Sequence, residues 1–197
     1  MPEQLSLPGF DNALPKKPLI DQIFFAIRPD EEPAARIAEI VRRLCREHGL
    51  SGKPLPPERL HVTLRGLGGY DGTSQEVVSA AKDAAAAIAM PPFNVAFNSV
   101  MSFGGGLRKR PLVLCGDDGV AGLLELQRAL GVAMTKVGLG RFASSQYTPH
   151  MTLLYDERSV AKQAIETFVW PVREFVLVHS LVGQARHEVL ARWPLRG

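Results

Sequence analysis

The pattern His-x-Thr-Leu occurs twice in this chain, as His61-Val62-Thr63-Leu64 and as His150-Met151-Thr152-Leu153, 89 positions apart. The same offset relates two apolar runs, one around Ile23 and one around Leu112. It also lays Ile37, Val41, Leu44 and Cys45, spaced as one helix face, over Leu126, Leu130, Ala133 and Met134. A strand, a helix and a His-x-Thr-Leu strand recurring in register describe two copies of one unit. The expected fold is α+β: two lobes related by a pseudo-twofold, antiparallel sheets lining a central cleft, and helices outside. A doubly wound α/β sheet is the weaker alternative, because strand pairs follow one another here without helices between them.

The segments of this unit can be read along the chain. Asp21 to Ile27 is short, aromatic and β-branched, as a buried strand is, and Arg28-Pro29-Asp30 stops it. Asp30 is placed to cap the helix that follows, and Gly49 to end it. A Pro-rich loop, residues 53–57, leads into an alternating strand at Leu60 to Arg65. Residues 74–90 are Ala-rich and helical up to Pro91-Pro92. Phe93 to Phe103 and Pro111 to Cys115 form a hairpin across a Gly-rich basic turn, Gly104 to Arg110. A helix through Leu123, Leu126, Leu130 and Val137 precedes a strand from Tyr147 to Tyr155, and the tail supplies strands at Arg173 to Leu181 and Glu188 to Trp193. Residues 1–18, with four prolines and no periodicity, read as a flexible extension, leaving 19–197 as a single bilobal domain.

Composition narrows the setting. No run approaches the roughly 18 consecutive apolar residues of a membrane helix, and the N-terminus lacks a signal-peptide core, so a cytoplasmic, monomeric protein is expected. Cys45 and Cys115 fit neither metal spacing nor a disulfide framework and read as apolar fillers. A net charge of +3 leaves anion attraction to local clusters, and Arg42-Arg43 with Arg46, and Arg108-Lys109-Arg110, read first as solvated faces.

On a strand, alternate side chains share a face, so each motif presents His and Thr together and packs the intervening residues the other way. Two facing imidazoles can supply a general base and a general acid at once, and two hydroxyls can hold the oxygens of an anion. In-line displacement at phosphorus uses that set, which singles out His61 and His150 as catalytic and Thr63 and Thr152 as substrate-binding, with a phosphodiester as substrate. Arg65, four residues past His61, joins the same face if the strand stays regular and would neutralise phosphate charge. No Asp, Glu or Cys accompanies either motif at ligand spacing, so no metal and no cofactor are expected. Gly104-Gly105-Gly106 matches no phosphate-loop pattern, and His48, His179 and His187 read as structural, His48 as a helix C-terminal cap.

Over residues 20–197 the sequence resembles the two-histidine (2H) phosphoesterases, and among them the LigT/ThpR branch of RNA 2′,3′-cyclic phosphodiesterases, also called 2′-5′ RNA ligases. IFFAIRPD, PPERLHVTLRGLG, YTPHMTLLY and HEVLARWPL match in order and spacing. The resemblance implies a bilobal fold, metal-independent catalysis, and opening of a 2′,3′-cyclic phosphate on RNA or a nucleotide to a 2′-phosphate, with reversible 2′-5′ ligation. It also implies that His61 protonates the departing 3′ oxygen and His150 activates water, although the pseudo-symmetry leaves the reverse order open. Many members carry an arginine five residues past the second histidine. Tyr155 stands there in this chain, and a phenol can hydrogen-bond or stack on a base but brings no charge, which weighs against ligation of longer RNA ends more than against hydrolysis. The non-enzymatic alternative is a module that grips an RNA terminal phosphate without turnover, using Arg108, Phe103 and Tyr155 as RNA contacts.

Overall fold

A computed structural model describes residues 20–70, 74–104, 108–143 and 147–197. The proposed N-terminal extension and the centre of the Gly-rich turn lie outside the described residues. Eight strands, β1 (Asp21–Ile27), β2 (Val62–Tyr70), β3 (Phe93–Ser102), β4 (Arg110–Cys115), β5 (His150–Asp156), β6 (Gln163–Val172), β7 (Glu174–Leu181) and β8 (Arg186–Pro194), form one sheet in the order β6-β3-β4-β5-β2-β1-β7-β8. Every pairing is antiparallel. Three helices, α1 (Glu31–His48), α2 (Gln75–Ala86) and α3 (Ala121–Lys136), accompany it. This is the expected α+β arrangement, with its two halves fused edge to edge.

The fusion is narrow. β2 and β5, the central strands, share one registered pair, Val62 opposite Met151. The two halves, β6-β3-β4-β5 and β2-β1-β7-β8, are therefore related across the residue that follows each motif histidine. Their helices reach over the join: Arg36 of α1 lies over the Phe168 ring of β6, and α3 packs on β2 through Gln127 and Gly131.

The main core lies between one face of the sheet and these helices. Ile23, Phe25, Ile27, Val62, Leu64, Leu114, Met151 and Leu153 point into it and meet Ile37, Val41, Leu44, Leu126 and Leu130. Within the first half Phe25 sits against Phe175 and Trp193, with ring centroids 6.1 and 6.0 Å away. Alternation sends Phe24 and Ala26 to the opposite face, where they form a small second cluster with Val176 and Val178.

Local punctuation follows the sequence with exceptions. Gly49 adopts the left-handed conformation that ends α1, with φ 60°. Asp30 precedes α1, but its carboxylate makes no cap bond and takes Arg173 instead. His48 does not cap the helix either; its Nε2 meets the Gln163 side chain of β6. β6 itself is absent from the sequence pattern: its charged and polar positions and Pro171 hide an edge strand whose burial alternates only in part. Among the described residues no helix is long and apolar enough to cross a membrane.

Replacing Phe25 by Ala removes the ring that Phe175 and Trp193 pack upon, and chemical denaturation should show a loss of about 3–5 kcal/mol.

Candidate active site

The lone bridge places the chemistry. With Val62 opposite Met151 and both buried, antiparallel pairing sets His61 across from Thr152 and Thr63 across from His150, all four on the face away from the helices. Each imidazole is held in the same way. His61 Nδ1 lies 2.7 Å from the Arg59 carbonyl, and His150 Nδ1 lies 2.8 Å from the Thr148 carbonyl. A carbonyl only accepts, so Nδ1 carries the proton in each neutral ring and Nε2 is left as the exchangeable nitrogen.

Both motif strands bulge at the same place. Ala26 faces Thr63 but Phe25 faces Arg65, skipping Leu64, and Val113 faces Thr152 but Leu112 faces Leu154, skipping Leu153. The extra residue ends the alternation that would have kept Arg65 beside His61. Arg65 is buried, donates from Nε to the Gln127 carbonyl of α3 at 3.2 Å, and presses on Gly131, where a Cβ would come within 2.5 Å of its guanidinium. Its counterpart in the other half is Leu154, wholly buried. Tyr155 follows the second bulge and is 48% exposed.

A cavity of about 320 Å³ adjoins the bridge and is lined by Thr63, Arg65, Gln127, Tyr147, Thr148 and His150. The structure thus brings His150 and Thr63 to one cavity, with Arg65 in its wall, while His61, Thr152 and Tyr155 are absent from its lining. The Tyr147 hydroxyl is buried there without a hydrogen-bond partner among the described residues, and burial raises its pKa. A larger cavity, about 420 Å³, lies between α1 and β6, far along the sheet from the bridge. Two of the arginines lining it are ion-paired, Arg36 with Glu32 and Arg43 with Glu47, as expected of a solvated face.

The surroundings of the two histidines differ. His61 is sandwiched: Phe24 stacks on it at 5.0 Å, and His187 of β8 meets it edge-on at 5.1 Å. The sequence pattern marks His187 as merely structural, since nothing in its spacing shows that β8 returns to this face. Burial pulls the His61 pKa below the ordinary imidazole range; the Arg59 carbonyl opposes this, and Arg28, Arg59 and His150 add to it. His187 is lowered to about 4, by burial first and then by His61, Arg59 and Arg28. His150 has a single aromatic neighbour among the described residues, Phe103, at 4.9 Å. Among the described residues no three His, Cys, Asp or Glu side chains gather as a metal site requires.

The approach to His61 is fastened to the other half. Asp156, at the end of β5, accepts hydrogen bonds from the backbone N–H groups of Ser51, Gly52 and Arg158. These bonds hold its carboxyl below the usual range. Leu55 N–H donates to the Leu153 carbonyl at 2.8 Å, and Pro54 bridges Leu154.

Two groups of proton-exchanging nitrogen beside two hydroxyls suit acid/base chemistry at a phosphate. The family model of the 2′-5′ RNA ligase superfamily matches residues 29–184. Escherichia coli LigT in its apo form is 26% identical with a TM-score of 0.67, covering 90% of this chain and 99% of that one. LigT complexed with 3′-AMP is 25% identical with a TM-score of 0.66 over the same shares. TT0787 of Thermus thermophilus shares the fold, at 24% identity and a TM-score of 0.72, with 89% of this chain and 98% of that one covered. No curated protein sequence matches. The chain belongs to the 2′-5′ RNA ligase superfamily, as a two-histidine phosphoesterase of LigT type. Its activity is accordingly that of a phosphodiesterase or ligase.

Replacing His187 by Ala should readmit water to the His61 ring, and because burial is the main cause of the depression, NMR titration should show the His61 pKa rising toward about 6.5.

Proposed function

We propose that residues 19–197 act as one monomeric unit that opens a 2′,3′-cyclic phosphate, on an RNA end or a nucleotide, to a 2′-phosphate, without a metal. The observation that carries this reading is the matched anchoring of His61 and His150 on either side of the Val62–Met151 bridge. An in-line displacement needs one imidazole to accept a proton and a second, protonated one to give it, and two rings anchored alike on one sheet face, each with Nε2 free, support that use. One Nε2 takes a proton from water, whose oxygen attacks phosphorus opposite the 3′ oxygen. The P–O3′ bond breaks, the second imidazole gives its proton to the departing oxygen, and the phosphate stays on the 2′ oxygen. Thr63 and Thr152 donate to the non-bridging oxygens as charge builds on them. If a 5′-hydroxyl replaces water, the same steps yield a 2′-5′ linkage.

The order carried over from the family makes His61 the acid and His150 the base. Partial burial and two arginines favour the neutral form of His61, and the charge of a bound phosphate would draw it toward the protonated form. Arg65 would act through α3 and the cavity wall, and Tyr155 from outside the cavity. Free Cys45 and Cys115 support a reducing, cytoplasmic setting.

A short RNA with a 2′,3′-cyclic phosphate, incubated in excess EDTA and followed by phosphorus NMR, should yield the 2′-phosphate. His61→Ala and His150→Ala should each lose about 10²–10⁴-fold. Tight RNA binding without turnover would replace the reading by that of an end-binding module. A p-nitrophenyl phosphodiester needs no proton on its leaving group, so His61→Ala should recover much of its rate on that substrate and His150→Ala should not. The reverse result would exchange their roles.

A further inference from the structure

The two halves present the same catalytic pair but different charge around it. On the His61 side, β1 runs opposite β2 with Ile27 facing Val62, which carries Arg28 to the position beside His61. Arg59 precedes His61 by two residues and holds its Nδ1 through the backbone. In the other half the matching positions are Cys115, directly opposite His150, and Thr148, whose carbonyl holds His150. Two guanidinium groups therefore flank one histidine, and none stands in the equivalent places around the other.

These cations are partly compensated. Arg28 donates to the Glu58 carbonyl at 2.6 Å and feels the carboxylates of Glu58 and Glu174, while Arg192 beside it is tied to Glu174. Arg59 is half-buried, and its enclosed Nε has no hydrogen-bond partner among the described residues. Both positive charges still reach His61 and His187, where they add to the larger effect of burial in disfavouring protonation of either ring. At the far end, Lys162 and Asp117 form a self-neutralising ionic pair.

A cyclic phosphate alone carries one negative charge, which the histidines and threonines between them already address. A nucleotide that also bears a 5′-phosphate, free or as the link to the preceding nucleotide, brings a second anion one sugar away. We propose that Arg28 and Arg59 form a subsite for that 5′-phosphate, which orients the substrate across the pseudo-twofold and makes a 5′-phosphorylated nucleotide cyclic phosphate the preferred substrate class. Arg is suited to the task by its planar fork of donors and permanent charge. The inference rests on the phosphodiesterase reading above for its substrate, and on the strand register for its location.

The test compares kcat/KM for adenosine 2′,3′-cyclic phosphate, its 5′-phosphorylated form, and a dinucleotide ending in the same cyclic phosphate. The 5′-phosphate should raise kcat/KM about tenfold, mainly through KM, as one charge-assisted phosphate contact does. The larger gain of the two substrates identifies a free 5′-phosphate or a chain phosphodiester as the better occupant. Arg59→Ala and Arg28→Gln should each remove most of the gain, and Lys162→Ala, at the opposite end, should leave it intact. A wild-type protein indifferent to the 5′-phosphate, a gain that survives Arg59→Ala, or one lost in Lys162→Ala would overturn the subsite. If no cyclic phosphate turns over, the functional reading fails by itself, and calorimetry still decides the subsite. Adenosine 2′,5′-bisphosphate should then bind the wild-type protein about tenfold more tightly than adenosine 2′-monophosphate, and equal affinities would refute it.

Discussion

One backbone bridge, Val62 to Met151, joins two four-stranded halves, and the catalytic arrangement follows from it. In antiparallel pairing a single registered pair fixes the residues on either side, so one contact places both histidines and both threonines. The side chains of the bridging residues are committed to the core, which sends His61, Thr63, His150 and Thr152 to the open face. A one-residue slip of either strand would turn that strand's His and Thr inward. The bulges at Leu64 and Leu153 then limit how far this face extends, for beyond them the next residue on each strand is buried.

Much of this is legible in the chain. His-x-Thr-Leu gives away its strand and its polar face because a period of two needs only four residues to show. The apolar face of α1 and its glycine stop are equally local. What escapes depends on partners distant in sequence. Regular alternation would set Arg65 beside His61, and no pattern in β2 announces the bulge that turns it to Gln127 and Gly131. β6 carries Glu166, Thr167 and Pro171 where a buried strand would be apolar, since only its pairing with β3 makes it a strand. His187 comes to His61 because β8 returns alongside β7, a fact about topology rather than about its neighbours in the chain.

The repeat is also less regular than its spacing. His61 and His150 are 89 positions apart, yet Ala26 and Val113, which face Thr63 and Thr152, are separated by 87. In the second half β4 has slid by two residues relative to β1 in the first. An even slip keeps every side chain on its own face, so the core tolerates it, but it changes which residue stands beside each histidine. Sequence offset alone would match Arg28 with Asp117. Register matches it with Cys115.

The stitching of residues 51–55 to the end of β5 bears on how the protein moves. Proteins with two lobes around a cleft commonly open and shut like a jaw, and binding then costs the entropy of closing. Here the segment that delivers His61 is bonded to the half that carries His150, through Asp156, Leu153 and Leu154. A jaw-like opening would have to break these backbone bonds before it separated the two imidazoles. The pair is therefore preset, spending little free energy on assembly when a ligand arrives. The same rigidity means that adaptation to ligands of different length falls to the rim of the site rather than to its centre.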